Sequence, residues 1–398
     1  MTVRASGVSS SSGARLRIRY LTHHSPWPAW SGGAIREAYL LSALSARFAI
    51  DVVGICRSSG ADASAVVQHL GVRSASFYCD EARRTMRRQR YSAKVKHLFR
   101  SESYSLDLVD AVHVEGGYLF HLLPPTHHKR TCLVEHNIES DVLEQFAVLM
   151  DDPWLVRASH RVAELEVRAW RSAAAVVAVT PEDRCEIMRR VGRTDVHVVP
   201  NGCDHVPAGQ ATALPPAAPP TALLLANYAY PPNADALHRM LHDLWPCILA
   251  NLPDARLIVA GSGLSATQRD MADGTPGTDA VGFVDDVSAV LDQADVLVCP
   301  LRAGGGVKVK VLESIRRGCP VVTTTIGAQG IHGPARSALH VTDSTAGLIQ
   351  VTTALLDARH LRAKRRRQTL RAGAGLATWA HASATLASVW SEICVRDG

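Results

Sequence analysis

The run Gly304-Gly305-Gly306-Val307-Lys308-Val309-Lys310-Val311-Leu312-Glu313 is the segment of this sequence best suited to chemistry. Successive glycines let a backbone approach a ligand without side-chain obstruction. The apolar residues after them open a helix, whose first N–H groups and positive dipole end favour an anion such as a phosphate. Lys310 and Glu313 are three residues apart and share one helix face. A cation beside a phosphate and a carboxylate accepting from paired hydroxyls is how a nucleoside diphosphate and its ribose are held. Lys308 and Arg302 are further cations on the same turn. Two more constellations follow strand-like runs. Ser31-Gly32-Gly33 precedes a helix with Arg36 one turn in, and Glu135-His136-Asn137 closes an apolar run with a histidine flanked by polar groups. Glu115-Gly116-Gly117 closes another run on the same edge and is read as lining the far side of the same crevice.

The elements that must position these residues are legible as alternation. Short apolar runs at 16–21, 50–55, 111–114, 131–135, 174–180 and 196–199 alternate with helical patterns at 33–46, 141–149, 156–171 and 181–191. After Pro215, Pro216, Pro219 and Pro220 the alternation restarts, with strands at 222–226, 256–260, 280–283, 295–300 and 320–324. Helices fit at 233–244 (stopping short of Pro246), 287–293 and 309–317, and the tail from 344 to 394 reads as helical almost throughout. Such alternation predicts parallel sheets with crossover helices. The expected fold class is α/β, with two Rossmann-like, doubly wound domains across a cleft. The expected organisation is a disordered lead-in at 1–13, an acceptor-side domain at 14–206, a linker at 207–220, a donor domain at 221–378, and a final helix at 379–398 packing back on the first domain.

Composition narrows the classes. The chain has 398 residues, 47% hydrophobic and 20% charged, enough for two cores and too apolar for a disordered chain. No apolar stretch is long enough for a transmembrane helix, and the Ser-rich start lacks a signal-peptide core. Nine cysteines without CxxC spacing suit free thiols in a reducing compartment, so a cytoplasmic location is expected. The formal charge is +6, concentrated in two runs. One holds Arg83, Arg84, Arg87, Arg88, Arg90, Lys94, Lys96 and Arg100, and the other holds Arg359, Arg362, Lys364, Arg365, Arg366, Arg367 and Arg371. Both read first as solvated helix faces. The sharper reading of the first is contact with a membrane surface or an anionic acceptor. Neither run is interleaved with aromatics, so no nucleic-acid partner is expected.

The glycine-lysine-glutamate run resembles the donor signature of family 4 (group 1) glycosyltransferases, in the branch carrying GGG-x-x-x-K-x-x-E. Gly282-Phe283-Val284-Asp285-Asp286, Gly318-Cys319-Pro320, Gly327-Ala328-Gln329-Gly330, Asn227-Tyr228-Ala229-Tyr230-Pro231-Pro232 and Val198-Val199-Pro200-Asn201-Gly202 fall in that family's order. The resemblance implies a GT-B, retaining enzyme using a nucleotide sugar as substrate, with no cofactor, and the Ala/Arg-rich composition and compact tail suit a bacterial protein. It implies that Glu313 holds the ribose, that Lys310 lies near the diphosphate, and that the amides of Gly305, Gly306 and Val307, with Lys308, face the donor. Gly32, Gly33 and Asn201 are the remaining expected donor contacts, and His136 is expected to touch the transferred sugar. Two departures stand out. Gly305 occupies a position where many members carry an acid, and the stretch from Asn227 to Asn233 lacks the usual Arg and Lys, leaving Lys308, Lys310 or Arg302 to replace them.

No DxD-type acidic pair closes a strand in a metal-binding context, so transfer without a metal is expected. UDP-hexose or UDP-N-acetylhexosamine is the preferred donor, with GDP-mannose next, and the acceptor is a small metabolite or an envelope glycan. Two rivals share the architecture. A sugar-nucleotide 2-epimerase needs carboxylates placed for proton abstraction that are not assignable here. An NAD-dependent oxidoreductase needs a dinucleotide fingerprint, and Gly261-Ser262-Gly263 lacks its third glycine and distal acid.

Overall fold

Two sheets organise the chain, each assembled from the apolar runs between helices. The computed structural model describes residues 2–6, 15–56, 61–79, 108–210 and 218–396. Contacts divide the chain into one unit of Met1–Glu144, Pro153–Asn201 and Trp379–Gly398, and a second of Gly202–Thr378 with Gln145–Asp152. The basic run from Arg83 to Arg100 lies outside the described residues.

The first unit holds strands β1 (Thr2–Ser6), β2 (Arg17–Thr22), β3 (Ala49–Cys56), β4 (Ser74–Cys79), β5 (Ala111–Glu115), β6 (Thr131–Glu135), β7 (Ala175–Ala178) and β8 (Val196–Val198). Their order is β1-β4-β3-β2-β5-β6-β7-β8, and all neighbours are parallel except β1 on β4. The helices between them are α1 (Gly32–Leu44), α2 (Ala63–Leu70), the short α3 (Gly117–Phe120), α4 (Glu139–Met150), α5 (Pro153–Ser172) and α6 (Pro181–Val191). Alternate residues serve opposite faces: Ile18 and Tyr20 enter one core cluster, and Leu21 enters the other.

The second unit holds β9 (Thr221–Leu225), β10 (Arg256–Ala260), β11 (Thr278–Gly282), β12 (Val296–Cys299), β13 (Val321–Thr323) and β14 (Leu339–Val341), ordered β11-β10-β9-β12-β13-β14 and parallel throughout. Its helices are α7 (Pro231–Arg239), α8 (Trp245–Asn251), α9 (Ala266–Asp273), α10 (Val287–Gln293), α11 (Val309–Arg317), α12 (Thr345–Asp357) and α13 (Arg362–Gly373). The last helix, α14 (Trp379–Arg396), is counted with the first unit, where Leu386 and Trp390 are fully buried in the core that also takes Leu40 and Leu41 of α1.

Both sheets reverse their strand order once, between β2 and β5 in the first unit and between β9 and β12 in the second. In open α/β sheets the crevice beyond the carboxyl ends of such a pair is where ligands bind. The loops after β2, β5, β9 and β12 open onto those crevices.

Three expectations are corrected. Residues 2–6 are not part of a disordered lead-in: they pair antiparallel with β4, whose outer backbone groups would otherwise be an open edge. The helix expected to stop before Pro246 continues. Residues 240–244 form a π-type turn, in which the Trp245 N–H donates to the Met240 carbonyl, and α8 restarts with Pro246 in its first turn, where a missing N–H costs little. The arginine run on α13 is only partly solvated. Arg366 is buried and donates to the Ala294 and Arg317 carbonyls, and Arg362 is buried against Asp295, so the run clamps α13 onto the second unit.

Candidate active site

In the second unit the loop after β12 carries Gly304 at φ 138° and Gly306 at φ 61°, backbone that side chains of L-residues rarely adopt. Gly305, Gly306, Val307 and Lys308 lead into α11, whose N-cap, Lys308, supplies no capping side chain to the first amides. Lys308 instead folds back, its Nζ donating to the carbonyls of Gly305 at 3.0 Å and Gly306 at 2.7 Å. Arg302 pairs with Asp235 outside the loop. Lys310 differs from both. Its Nζ donates to the neutral Asn233 Oδ1 at 2.8 Å, and desolvation lowers its pKa. Of the three cations considered for the diphosphate, Lys310 is the one without a carboxylate or loop carbonyls as its hydrogen-bond partner here.

Glu313, one turn on, is 4% exposed, and its Oε1 lies 2.8 Å from His205 Nε2. The structure thus brings Lys308, Lys310 and Glu313 together on the first turns of one helix and adds two residues that sequence reasoning missed. Asn233, from the loop after β9, holds Lys310. His205, 108 positions before Glu313, holds its carboxylate. No local spacing could have found His205.

In the first unit, Ser31 caps α1 by accepting from the Ala34 amide at 3.2 Å, and Gly32 and Gly33 form the first turn. A Cβ on Gly33 would stand 3.5 Å from the His24 ring, ordinary contact, so this glycine packs against His24 without being sterically obligatory. Arg36 is fully buried, donating to Asn201 Oδ1 at 2.8 Å and to the Pro200 carbonyl at 3.2 Å. It ties α1 to the 200–201 turn and places Asn201 beside that helix.

His136 follows β6, with its Nε2 2.6 Å from Glu115 Oε2 at the end of β5. Glu115 is fully buried and its other oxygen faces Tyr20 OH and, at 2.8 Å, His113 Nε2. Trp390 of α14 donates to His113 Nδ1 at 3.0 Å, which leaves the His113 proton on Nε2, donating to Glu115. Burial pulls the Glu115 carboxyl up, but the adjoining His136 and the hydrogen bond from His113 outweigh it and hold the carboxyl well below its ordinary range. A Cβ on Gly117 would come within 2.8 Å of Glu135 Oε1, so a side chain there would have to displace that buried carboxylate. Glu37 on α1, which the sequence reading passed over, is the second buried carboxylate beside His136. Burial and the neighbouring Glu115 push it well up.

Comparison with known proteins decides what these elements belong to. The model for Glycosyltransferase Family 4 matches residues 30–206, and that for Glycosyl transferases group 1 matches residues 219–358. The chain belongs to the group 1, family 4 glycosyltransferases. Its fold is GT-B, shared with sucrose-phosphate synthase from Thermosynechococcus elongatus at TM-score 0.73 and 13% identity, over 96% of this chain and 100% of that one. Anabaena HepE, solved in complex with UDP-glucose, aligns at TM-score 0.66 and 14% identity over 95% and 100%. WaaG, a glycosyltransferase involved in lipopolysaccharide biosynthesis, aligns at 0.64 and 14% over 94% and 99%. A curated relative, an uncharacterised 44.6 kDa protein in the cps region of Klebsiella pneumoniae, is 26% identical over 115 residues. That match spans 27% of this chain and 30% of the relative's length. Among the described residues of this glycosyltransferase, no helix is long and apolar enough to cross a membrane.

Proposed function

We propose that this glycosyltransferase moves a sugar from a nucleoside-diphosphate donor with retention of anomeric configuration and without a metal bridging the diphosphate. The observation that carries the reading is the face of α11 at the switch point of the second sheet, where Lys310 and Glu313 stand one turn apart, held by Asn233 and His205. Glu313 would accept from the ribose hydroxyls. Lys310, poorly solvated and without a matched anion, would gain most from a phosphate, because a desolvated ammonium and a diphosphate compensate each other's lost hydration. The amides of Gly305, Gly306 and Val307 lead into the helix N-terminus and would add to that stabilisation. In the first unit, Gly32 and Gly33 open α1 as a further donor contact, Asn201 stays beside them, and His136 would touch the transferred sugar.

In the reaction the bond between the anomeric carbon and the diphosphate oxygen breaks and a bond to the acceptor oxygen forms on the same face. The acceptor's proton passes to the departing diphosphate, so no enzyme nucleophile is needed. UDP-hexose or UDP-N-acetylhexosamine is the preferred donor, supported by the UDP-glucose held in the HepE structure, with GDP-mannose the alternative. The acceptor is a small metabolite or an envelope glycan. Buried free thiols at Cys132, Cys203, Cys299 and Cys319 support a reducing, cytoplasmic setting. The test is proton NMR of the product formed from a panel of α-linked UDP- and GDP-sugars in excess chelator. An α-linked product from one donor supports the reading. A β-linked product, or transfer only on adding a divalent cation, overturns it.

A further inference from the structure

Lys310 and Glu313 carry opposite charges three positions apart on α11, a spacing at which such side chains ordinarily pair. Here they do not. Among the described residues, the Lys310 Nζ donates to Asn233 Oδ1 at 2.8 Å, and the Glu313 carboxylate faces His205 instead. Had the two joined, the ammonium would be neutralised before a diphosphate arrived, and the carboxylate would be turned away from a ribose.

His205 Nε2 lies 2.8 Å from Glu313 Oε1, and both side chains are nearly buried. An ionised carboxylate only accepts, so Nε2 carries the proton and donates. Such charge-assisted bonds are short and about twice as strong as neutral ones. Oε1 is thereby occupied, and Oε2 is the oxygen left to meet hydroxyl donors.

Residues 203–209 bring this histidine to a helix 108 positions further on, as a strap that runs along α11 toward its C-terminal end. The Cys203 amide donates to the Ala377 carbonyl at 3.2 Å. Arg316 Nε donates to the Val206 carbonyl at 2.6 Å, and Arg317 Nη1 to the Pro207 carbonyl at 3.1 Å. The Gly209 amide donates in return to the Arg316 carbonyl at 3.0 Å. There the two backbones touch. A Cβ on Gly209 would stand 2.1 Å from the Arg317 carbonyl oxygen, so a side chain would force the strap off the helix. Asp292 of α10 holds Arg317 in turn, accepting from its Nε at 3.1 Å. Both arginines lie in the last turn of α11, where the helix dipole favours cations.

We propose that His205 is a positioning residue for the donor: it keeps Glu313 off Lys310 and aims it at the ribose. The site then favours a ribonucleotide over its 2′-deoxy form, because losing the 2′-hydroxyl leaves a nearly buried carboxylate oxygen without its donor. The inference rests on the reading of Glu313 as the acceptor of the ribose hydroxyls.

The experiment titrates the full chain calorimetrically with UDP and GDP, each against its 2′-deoxy form. Wild type is expected to bind its preferred ribonucleotide roughly tenfold or more tighter than the deoxy form. His205→Leu keeps bulk and removes the donor. It should weaken the ribonucleotide roughly tenfold and leave the deoxy form nearly unchanged, collapsing the ratio. His205→Gln, whose Nε2 can still donate, should keep most of the ratio. Loosening of the fold alone would weaken both forms alike. Arg316→Met releases the strap without touching the histidine and should lower the ratio in the same direction, with circular dichroism checking that each variant is folded. If Glu313→Ala abolishes the ratio while His205→Leu and Arg316→Met keep it at the wild-type value, the role of His205 is overturned and the donor site stands. If Glu313→Ala binds both forms as wild type does, the donor reading itself fails.

Discussion

Glu313 and Lys310 have different partners, so their substitutions should fail differently. Glu313 is buried with His205 as its bonded partner, and ribose hydroxyls donating to a carboxylate are worth about 1.5–3 kcal/mol. Glu313→Ala should therefore weaken nucleotide affinity roughly 10- to 150-fold with little change in fold. Lys310→Ala should leave the nucleotide bound more weakly but cut turnover roughly 10²–10³-fold, the usual cost of losing one group aimed at developing charge. Initial-rate kinetics on both variants checks the contrast. Glu166 gives a pH signature instead. It caps α4, accepting from the Glu139 amide at 2.6 Å, and burial raises its carboxyl to about 7 despite those bonds. A raised carboxyl means that the folded state holds the proton more tightly than the unfolded chain. Its contribution to stability is full below roughly pH 4, where the unfolded carboxyl is also protonated, and is lost as pH rises through about 7. The melting temperature should fall between roughly pH 4.5 and about 7 and level off above, and Glu166→Gln should flatten part of that fall.

The elements that carry the donor residues were the most legible in the sequence. Helices at 181–191, 287–293 and 309–317 and the strand at 131–135 coincide with α6, α10, α11 and β6, because each is bounded by turn chemistry that local sequence encodes. Gly318 shows how. It ends α11 at φ 78°, and a Cβ there would come within 2.8 Å of Leu370 Cγ. Gly318→Ala should cost about 1–3 kcal/mol, measurable by urea unfolding, through left-handed strain and collision with α13. The strands β1, β4 and β14 were not legible. β14 has three residues, β4 reads Ser-Ala-Ser-Phe-Tyr-Cys with no clean alternation, and β1 exists only because β4 offers an edge. Their partners are distant in sequence, and a single-chain pattern does not encode that. The same limit hid His205 and Glu37. The Lys310 and Glu313 pairing is a helix-turn spacing, whereas their supports come from loops and strands far along the chain.

At the scale of the whole molecule, α14 is the element whose contribution is least local. It is the last helix in sequence, yet Trp390 is fully buried in the first unit's core, stacked edge-on to His113 and bonded to it. Trp390→Ala should cost about 3–5 kcal/mol from the cavity alone. It should also release the His113 tautomer that keeps Glu115 hydrogen-bonded, so imidazole nitrogen shifts of His113 should change even in the fraction that stays folded. Trp390→Phe separates the two effects, since it keeps most of the volume and removes the donor.

The central claim is that the face of α11 bearing Lys310 and Glu313 holds a nucleoside diphosphate. Calorimetric titration of the full chain with UDP, GDP, ADP, TDP and NAD, in excess chelator, tests it most directly. The account predicts saturable heat with one nucleoside diphosphate, UDP first among them, reduced at least tenfold in Glu313→Ala. Binding of NAD alone, or a nucleotide isotherm unchanged in Glu313→Ala, would contradict it.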